Sequence, residues 1–444
     1  MSRFYRGRGA IALADQIMVS GSNFVAGIIL VRGLGLVEFG KYSVAYLLLL
    51  YANSLQMSFI TSPMLSLAPL MPVRERRQFV NGMLTLQLLA SLLLFVTFAL
   101  AGTASCFFTT FYSLPCVLVF ALCVGSFQLQ DWVRRYYFLC NKKRLAIASD
   151  FISYGVQLAL LLALWRAGGL TLVRTFMVMA VTSLAGFALG PVTDRIRPAT
   201  QHLLETWARC KVLSRDLLIA NQVRWFGVQG VLLMGTGIVG VAAAGGLRAA
   251  SNLAGPMYLL LLACENVVPI HIAELLQTKG AASACEFVKH GILATTVSFS
   301  LLILPLSIFG RTILRLLYGP AMVAFYIPLL LQMVNTVVQA AVTLSFYLFR
   351  GLRDTRALLR ANALSAMASV GTVYLFGHQW KAPGIVLSSL FGQVIVVAYF
   401  FLHWMRHRRE LLLRYPPPKL SETEAESVRW KVKLQILPGE VTTR

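Results

Sequence analysis

The chain has 444 residues, 57% of them hydrophobic and only 13% charged. That balance excludes a soluble globular protein. A formal charge of +23 would ordinarily raise nucleic acid as a partner, but the basic residues fall in short loops between apolar runs, where they read as a topology signal.

Apolar runs of the length that spans a hydrocarbon core recur from end to end. They predict twelve transmembrane helices, near 11–31, 40–61, 81–102, 112–130, 147–165, 172–190, 217–239, 249–270, 290–309, 322–346, 361–376 and 383–404. Only helices fit, because lipid cannot satisfy open backbone groups. RFYRGRG precedes the first run with no small-residue cleavage site, so that run is expected to remain as a helix. The loops alternate in charge: 31 basic residues fall on the side of both termini and 8 on the other, with Arg224 left inside a span. The termini and long loops are therefore placed in the cytoplasm, and two basic termini favour an even number of spans. The tail runs from a basic stop through a proline break to the acidic SETEAES, and is expected to be partly disordered.

The two halves echo each other. Gly35 and Gly40 match Gly240 and Gly245 at an offset of 205 residues; Pro63 is answered by Pro269, and YFLCNKKR from Tyr137 by YLFRGLRD from Tyr347. A repeat of this kind predicts two bundles with a substrate path between them. The expected fold is an all-α polytopic membrane protein, with two pseudo-symmetric six-helix lobes around a central cavity. The expected divisions are an N-terminal lobe at 1–190, a cytoplasmic linker at 191–216, a C-terminal lobe at 217–404 and a tail at 405–444.

Polar residues inside the spans mark candidate sites. Arg248 lies among small residues at the start of the eighth span, where a guanidinium can hold phosphate oxygens in a fork. An arginine at bilayer depth is costly and tends to face a cavity or a partner. The other reading has the span start a turn later and Arg248 snorkel to the outer interface. Arg224 and Asn221 share a face of the unusually polar seventh span, as a cavity-lining helix would; snorkelling is the alternative for Arg224. Arg32 ends the first span, either facing substrate or anchoring the interface. Asp15 and Glu265 are candidates for ion coupling, or for a helix-end charge and a loop ion pair respectively. Asp131 and Asp150 bracket a basic loop as expected local charge partners.

The seven cysteines show neither CxxC nor Cys/His metal spacing, and most are expected to pack in apolar runs. HExxH, GxSxG, paired carboxylates and a phosphate-binding glycine loop are all missing from the sequence, so neither an enzyme nor a cofactor or metal is expected.

VRGLGLVEFGKYSVAYLL from Val31, GGLRAASNLAGPM from Gly245 and RRYYFLCNKKRLAIASD from Arg134 resemble helix links of bacterial polysaccharide flippases. These are the O-antigen and exopolysaccharide exporters of the multidrug/oligosaccharidyl-lipid/polysaccharide exporter superfamily. The resemblance implies two six-helix lobes that carry a polyprenyl-pyrophosphate-linked glycan across the inner membrane by alternating access. Related lipid II flippases bind pyrophosphate through cavity arginines, and their eighth-helix arginine falls by motif on Arg248. Pathway partners would be a polysaccharide polymerase and glycosyltransferases, with no nucleic acid. A cation-coupled multidrug or metabolite exporter of the same superfamily is the first alternative, and a polytopic glycan enzyme the second. More arginine than acid at membrane depth favours an anionic substrate.

Overall fold

A computed structural model of the protein describes residues 2–194 and 196–414, with the backbone alone at 2–17, 220, 223, 224, 228, 259, 262, 263, 265–267, 355 and 414. Every regular element described is helical: α1 (Ser2–Gln56), α2 (Ser62–Leu67), α3 (Val73–Phe108), α4 (Leu114–Leu139), α5 (Lys143–Asp150), α6 (Gln157–Arg166), α7 (Leu172–Thr193), α8 (Leu203–Trp225), α9 (Val231–Val239), α10 (Val241–Leu253), α11 (Gly255–Thr278), α12 (Gly280–Tyr318), α13 (Tyr326–Gly351) and α14 (Thr355–Arg414). Wide π turns at Met57–Thr61, Phe151–Val156 and Phe226–Gly230 carry the chain unbroken from α1 to α2, α5 to α6 and α8 to α9.

Among the described residues, eight helices are long and apolar enough to cross a membrane, so this is a multi-pass membrane protein. Twelve segments were expected, and the difference has two causes. Met18–Leu70 and Arg356–Leu413 each run through two expected segments. The turns expected there are single-residue breaks, at Gly35 (φ +78°) and Lys381 (φ +54°). The seventh and eighth segments fall on α8–α9 and α10–α11, outside the eight. α8 is charged over much of its length. The helix expected from 249 begins at Val241 and is interrupted at Ala254, and α11 beyond it is long and apolar but includes residues whose side chains lie outside the described ones. The connection at 191–216 is itself largely helical, a short turn at Thr200–His202 leading into α8.

Lipid-facing stripes are explicit. Leu293, Val297, Leu301, Leu304 and Ile308 are all exposed on α12, a spacing of three and four that lines one face of a helix. Leu89, Leu93, Val96 and Leu100 do the same on α3. Apolar surface of that length without protein cover belongs against hydrocarbon.

The chain forms two compact units. The first comprises the chain up to Gln229, Val239–Asn252 and Leu314–Val323; the second comprises Gly230–Ile238, Leu253–Ile313 and the chain from Ala324. In the first, α4 packs between α3 and α7, and Trp132, Tyr137, Met64 and Met83 are buried at its core. In the second, α13 packs against α14 and α11, around Ile272, Phe349, Leu352 and Phe400.

The same turn closes α4 and α13. Cys140, Asn141 and Lys142 donate their N–H groups to the carbonyls of Tyr136, Phe138 and Tyr137; Leu352, Arg353 and Asp354 donate to Leu348, Arg350 and Phe349 in the same order. Asn141 and Arg353 both sit in the left-handed region, at φ +56° and +55°. Orphan helix-end carbonyls are satisfied identically in both places. The sequence comparison paired Tyr137 with Tyr347; the hydrogen bonds pair residues 212 apart instead, Tyr137 with Phe349.

Candidate functional site

The site is built where α10 meets α1 inside the first unit. Gly35 and Gly240 break their helices with positive φ, +78° and +103°, a conformation glycine adopts freely. One turn beyond each, the backbones touch. A Cβ on Gly245 would stand 2.9 Å from the Leu36 carbonyl oxygen; a Cβ on Gly40 would stand 2.7 Å from the Val241 carbonyl carbon and overlap its oxygen. Small residues therefore let the two backbones approach without intervening side chains.

That approach carries Arg248 and Asn252 (i, i+4 on α10) onto a pocket in α1, α4, α6 and α7. α1 contributes Asn23 and Gly27 before its break and Phe39, Tyr42 and Tyr46 after it, each set at helical spacing. The π turn after α5 brings Ser153 and Tyr154, followed by Gln157; Phe127, Met179 and Ser183 come from near the middle of α4 and α7. The pocket is therefore level with the centre of the spans, and Arg248 is half-buried there. Its guanidinium carbon lies 4.3 Å from the centroid of the Tyr46 ring, a cation–π contact contributing about 0.5–2 kcal/mol. Among the described residues, no carboxylate lines this pocket and none pairs with Arg248. The cavity is about 40 Å³, room for a water molecule rather than a glycan. Chemically it is a wall with one cation, two asparagines, a glutamine and hydroxyls, suited to meet an anion.

The other predicted residues are not gathered there. Arg32 is exposed and caps the C-terminal end of α12: Nε donates to the Leu317 carbonyl oxygen at 2.8 Å and Nη2 to that of Leu316. A cation at a helix C-terminus is favourable with the dipole. Asn221 does lie on a polar helix face, but it binds another helix. Its Nδ2 donates to Ser58 Oγ at 2.9 Å, and Gln222 Nε2 donates to Ser54 Oγ at 3.4 Å. At these two residues the polarity of the seventh segment serves to glue α8 to the α1 end. The side chains of Arg224, Asp15 and Glu265 lie outside the described residues.

Asp131 and Asp150 are local charge partners, as expected. Arg134 Nε reaches Asp150 Oδ2 at 2.6 Å and Arg135 Nε reaches Asp131 Oδ2 at 2.8 Å. Gln130 Nε2 also donates to Asp150 Oδ1, at 2.9 Å. The sequence reading missed Tyr46, Asn252, Ser153, Tyr154 and Gln157. A signal existed for the last three: SYGVQ interrupts an otherwise apolar run with polar groups one turn apart.

With this geometry in hand, the chain can be set against known proteins. No protein-family model matches it, and no curated protein does. Solved structures match over nearly its whole length. The lipid II flippase MurJ, in an inward closed conformation, covers 98% of this chain and 94% of its own, at 11% identity and a TM-score of 0.63. An inward-facing multidrug resistance MATE family transporter of the MOP superfamily covers 90% and 96%, at 13% identity and a TM-score of 0.67. The Vibrio cholerae MATE transporter VcmN, in its bent form, covers 91% and 98%, at 12% identity and a TM-score of 0.57. The chain therefore has the fold of MOP-superfamily transporters, a fold that the lipid II flippase and the multidrug transporters share.

Proposed function

We propose that the protein flips a polyprenyl-pyrophosphate-linked oligosaccharide from the inner to the outer leaflet of the bacterial inner membrane, by alternating access between two six-helix lobes, for polysaccharide export. The observation that carries this reading is Arg248: a cation at mid-span depth, held on a tyrosine face, in a pocket without a described carboxylate. A bare guanidinium in that setting is costly unless an anion meets it, and pyrophosphate oxygens match its fork. The two-lobe arrangement rests on the glycine breaks 205 residues apart and the matching turns after α4 and α13. Asp15 and Glu265 remain the proposed ion-coupling acids, Arg224 a further anion contact, and the pathway polymerase and glycosyltransferases the proposed partners. Arg32 and Asn221 enter only as residues that hold α12 and α8 in place.

The test is outward translocation of a fluorescent polyprenyl-pyrophosphate oligosaccharide in proteoliposomes. Arg248→Ala should stop translocation, and Arg248→Lys should retain part of it, both while still unfolding cooperatively in detergent within a few degrees of wild type, as the loss of one cation–π contact allows. Wild-type rates for Arg248→Ala would overturn the reading. The likeness to multidrug transporters favours a second reading, a cation-coupled multidrug or metabolite exporter; ion-driven movement of a cationic dye with no movement of the glycan would establish it instead.

A further inference from the structure

A second charged concavity lies in the first unit, away from Arg248. It opens between the start of α3 and the segment leading into α8, encloses about 570 Å³, and is lined by Arg74, Arg77, Gln78, Asn81, Gln201 and His202 together with Val73 and Ala199. Positions 74, 77, 78 and 81 share one face of α3. The neighbouring charges are already engaged. Arg76 donates through Nε to the Ala68 carbonyl oxygen at 3.0 Å and through Nη2 to that of Met71 at 3.2 Å. Glu75 and Glu205 both hold Arg209, at 3.3 and 2.6 Å. Arg74 and Arg77 are exposed and have no carboxylate partner among the described residues. No side chain caps α3, whose N-cap is Pro72, so the first-turn N–H groups add positive potential at the same place.

The rim tells which phosphate belongs there. Val73 of the lining is 80% exposed, Leu70 and Leu204, three and two residues along the chain from the lining Val73 and His202, are each 81% exposed, and α3 turns apolar immediately beyond the groove as it enters its span. A soluble phosphate gains nothing from an aliphatic rim. A phospholipid gains from both, with its headgroup on the guanidinium forks and its glycerol and upper acyl chain on the leucines. We infer that the Arg74–Arg77–His202 concavity binds the phosphate headgroup of an anionic phospholipid at the end of the α3 span.

The experiment uses the purified full-length chain in neutral detergent, counting bound lipid by native mass spectrometry as phosphatidylglycerol or phosphatidylcholine is added. Phosphatidylglycerol should bind in preference to phosphatidylcholine and weaken as salt rises. Arg74→Gln/Arg77→Gln should weaken it on the order of 30-fold, at the strength expected of two basic residues near an anionic headgroup. Arg74→Lys/Arg77→Lys keeps the charge and should lose less. Arg353→Gln/Arg356→Gln removes the same charge in the second unit and should leave phosphatidylglycerol binding within a few-fold of wild type. Equal losses in the two glutamine doubles would overturn the inference, as would no preference of the wild-type protein for phosphatidylglycerol. Displacement of the lipid by equimolar inorganic phosphate would overturn the lipid as the ligand.

Discussion

The contact between α1 and α10 makes the sharpest prediction, because its two sides are unequal. Alanine at Gly245 places a methyl 2.9 Å from the Leu36 oxygen and 3.0 Å from the Gly40 nitrogen, about 0.5 Å inside ordinary contact, so backbone must shift by a few tenths of an ångström. Alanine at Gly40 places a methyl 2.7 Å from the Val241 carbonyl carbon and inside its oxygen. The obstacle on both sides is backbone, which no rotamer change moves, and the overlap is deeper at Gly40. Overpacking of a well-packed interior costs about 1–3 kcal/mol, so Gly245→Ala should fall near about 1 kcal/mol and Gly40→Ala at about 3 kcal/mol or above. Gly371→Ala is the control, since a Cβ there meets nothing within 4 Å and alanine is the better helix former. Thermal unfolding of the purified proteins in one detergent ranks the three, and substrate translocation should fall in the same order, because separating α10 from α1 also withdraws Arg248 from Tyr46. Equal stability of Gly40→Ala and Gly371→Ala would refute the close backbone approach as a structural requirement.

Three further outcomes follow from the ion pairs and caps. Arg134→Ala removes the cation beside Asp150, whose side chain is 0% exposed, and should cost about 3 kcal/mol or more; Asp150→Asn, which leaves a partly exposed guanidinium over the Phe138 ring, should cost less by the same unfolding measurement. Arg32→Ala should lower stability by about 1 kcal/mol through the lost C-terminal cap of α12, while glycan translocation per folded molecule stays near wild type, in contrast to Arg248→Ala. Burial alone would raise the pKa of Asp354, but the Ala357 N–H and the His403 ring outweigh it and hold it below the ordinary 3.8. A carboxylate depressed in the folded state stabilises above its unfolded pKa and loses that contribution as pH falls through the lower folded value. Asp354→Asn should therefore be less stable than wild type at neutral pH, with the gap closing below about pH 4, and a constant gap across that range would exclude the linkage.

Much of the fold was legible because lipid leaves so few options. Long apolar runs had to be helices, and the expected turns at 35 and 381 became the actual breaks. The exact form of those breaks was not legible, since one glycine and one lysine suffice to redirect a helix without a loop. The Asp150–Arg134 and Asp131–Arg135 pairs could be anticipated from charge proximity along the chain. The roles of Arg32 and Asn221 could not: their partners are the carbonyls of Leu316 and Leu317 and the hydroxyl of Ser58, which look like any apolar or small residue in sequence. For Arg248 the residue type pointed to a cavity, but Tyr46 lies some 200 positions away and only packing joins them.

The paired glycines also separate what the two helices share from what they do not. With the offset of 205, Leu36 corresponds to Val241 and Gly40 to Gly245, and each glycine meets the backbone of the other pair's first member. The contact is reciprocal, as two equivalent segments packed face to face would make it. Carried on by one turn, the same register sets Ser43 against Arg248 and Tyr46 against Ser251. Ser43 is buried, with its hydroxyl returned to the Phe39 carbonyl oxygen at 2.8 Å, so it offers nothing to a ligand. The cation exists on α10 alone, and the ring beneath it on α1 alone. Both therefore lie off the shared frame, on complementary helices, and meet because the glycines let the backbones close. A reciprocal scaffold by itself would give two like surfaces; the Arg248–Tyr46 pair makes this one polar and positive on one side only. The proposed substrate has a single charged end, which such an asymmetry suits, and exchanging the two residues, Arg248→Tyr with Tyr46→Arg, is therefore a more searching test than removing either.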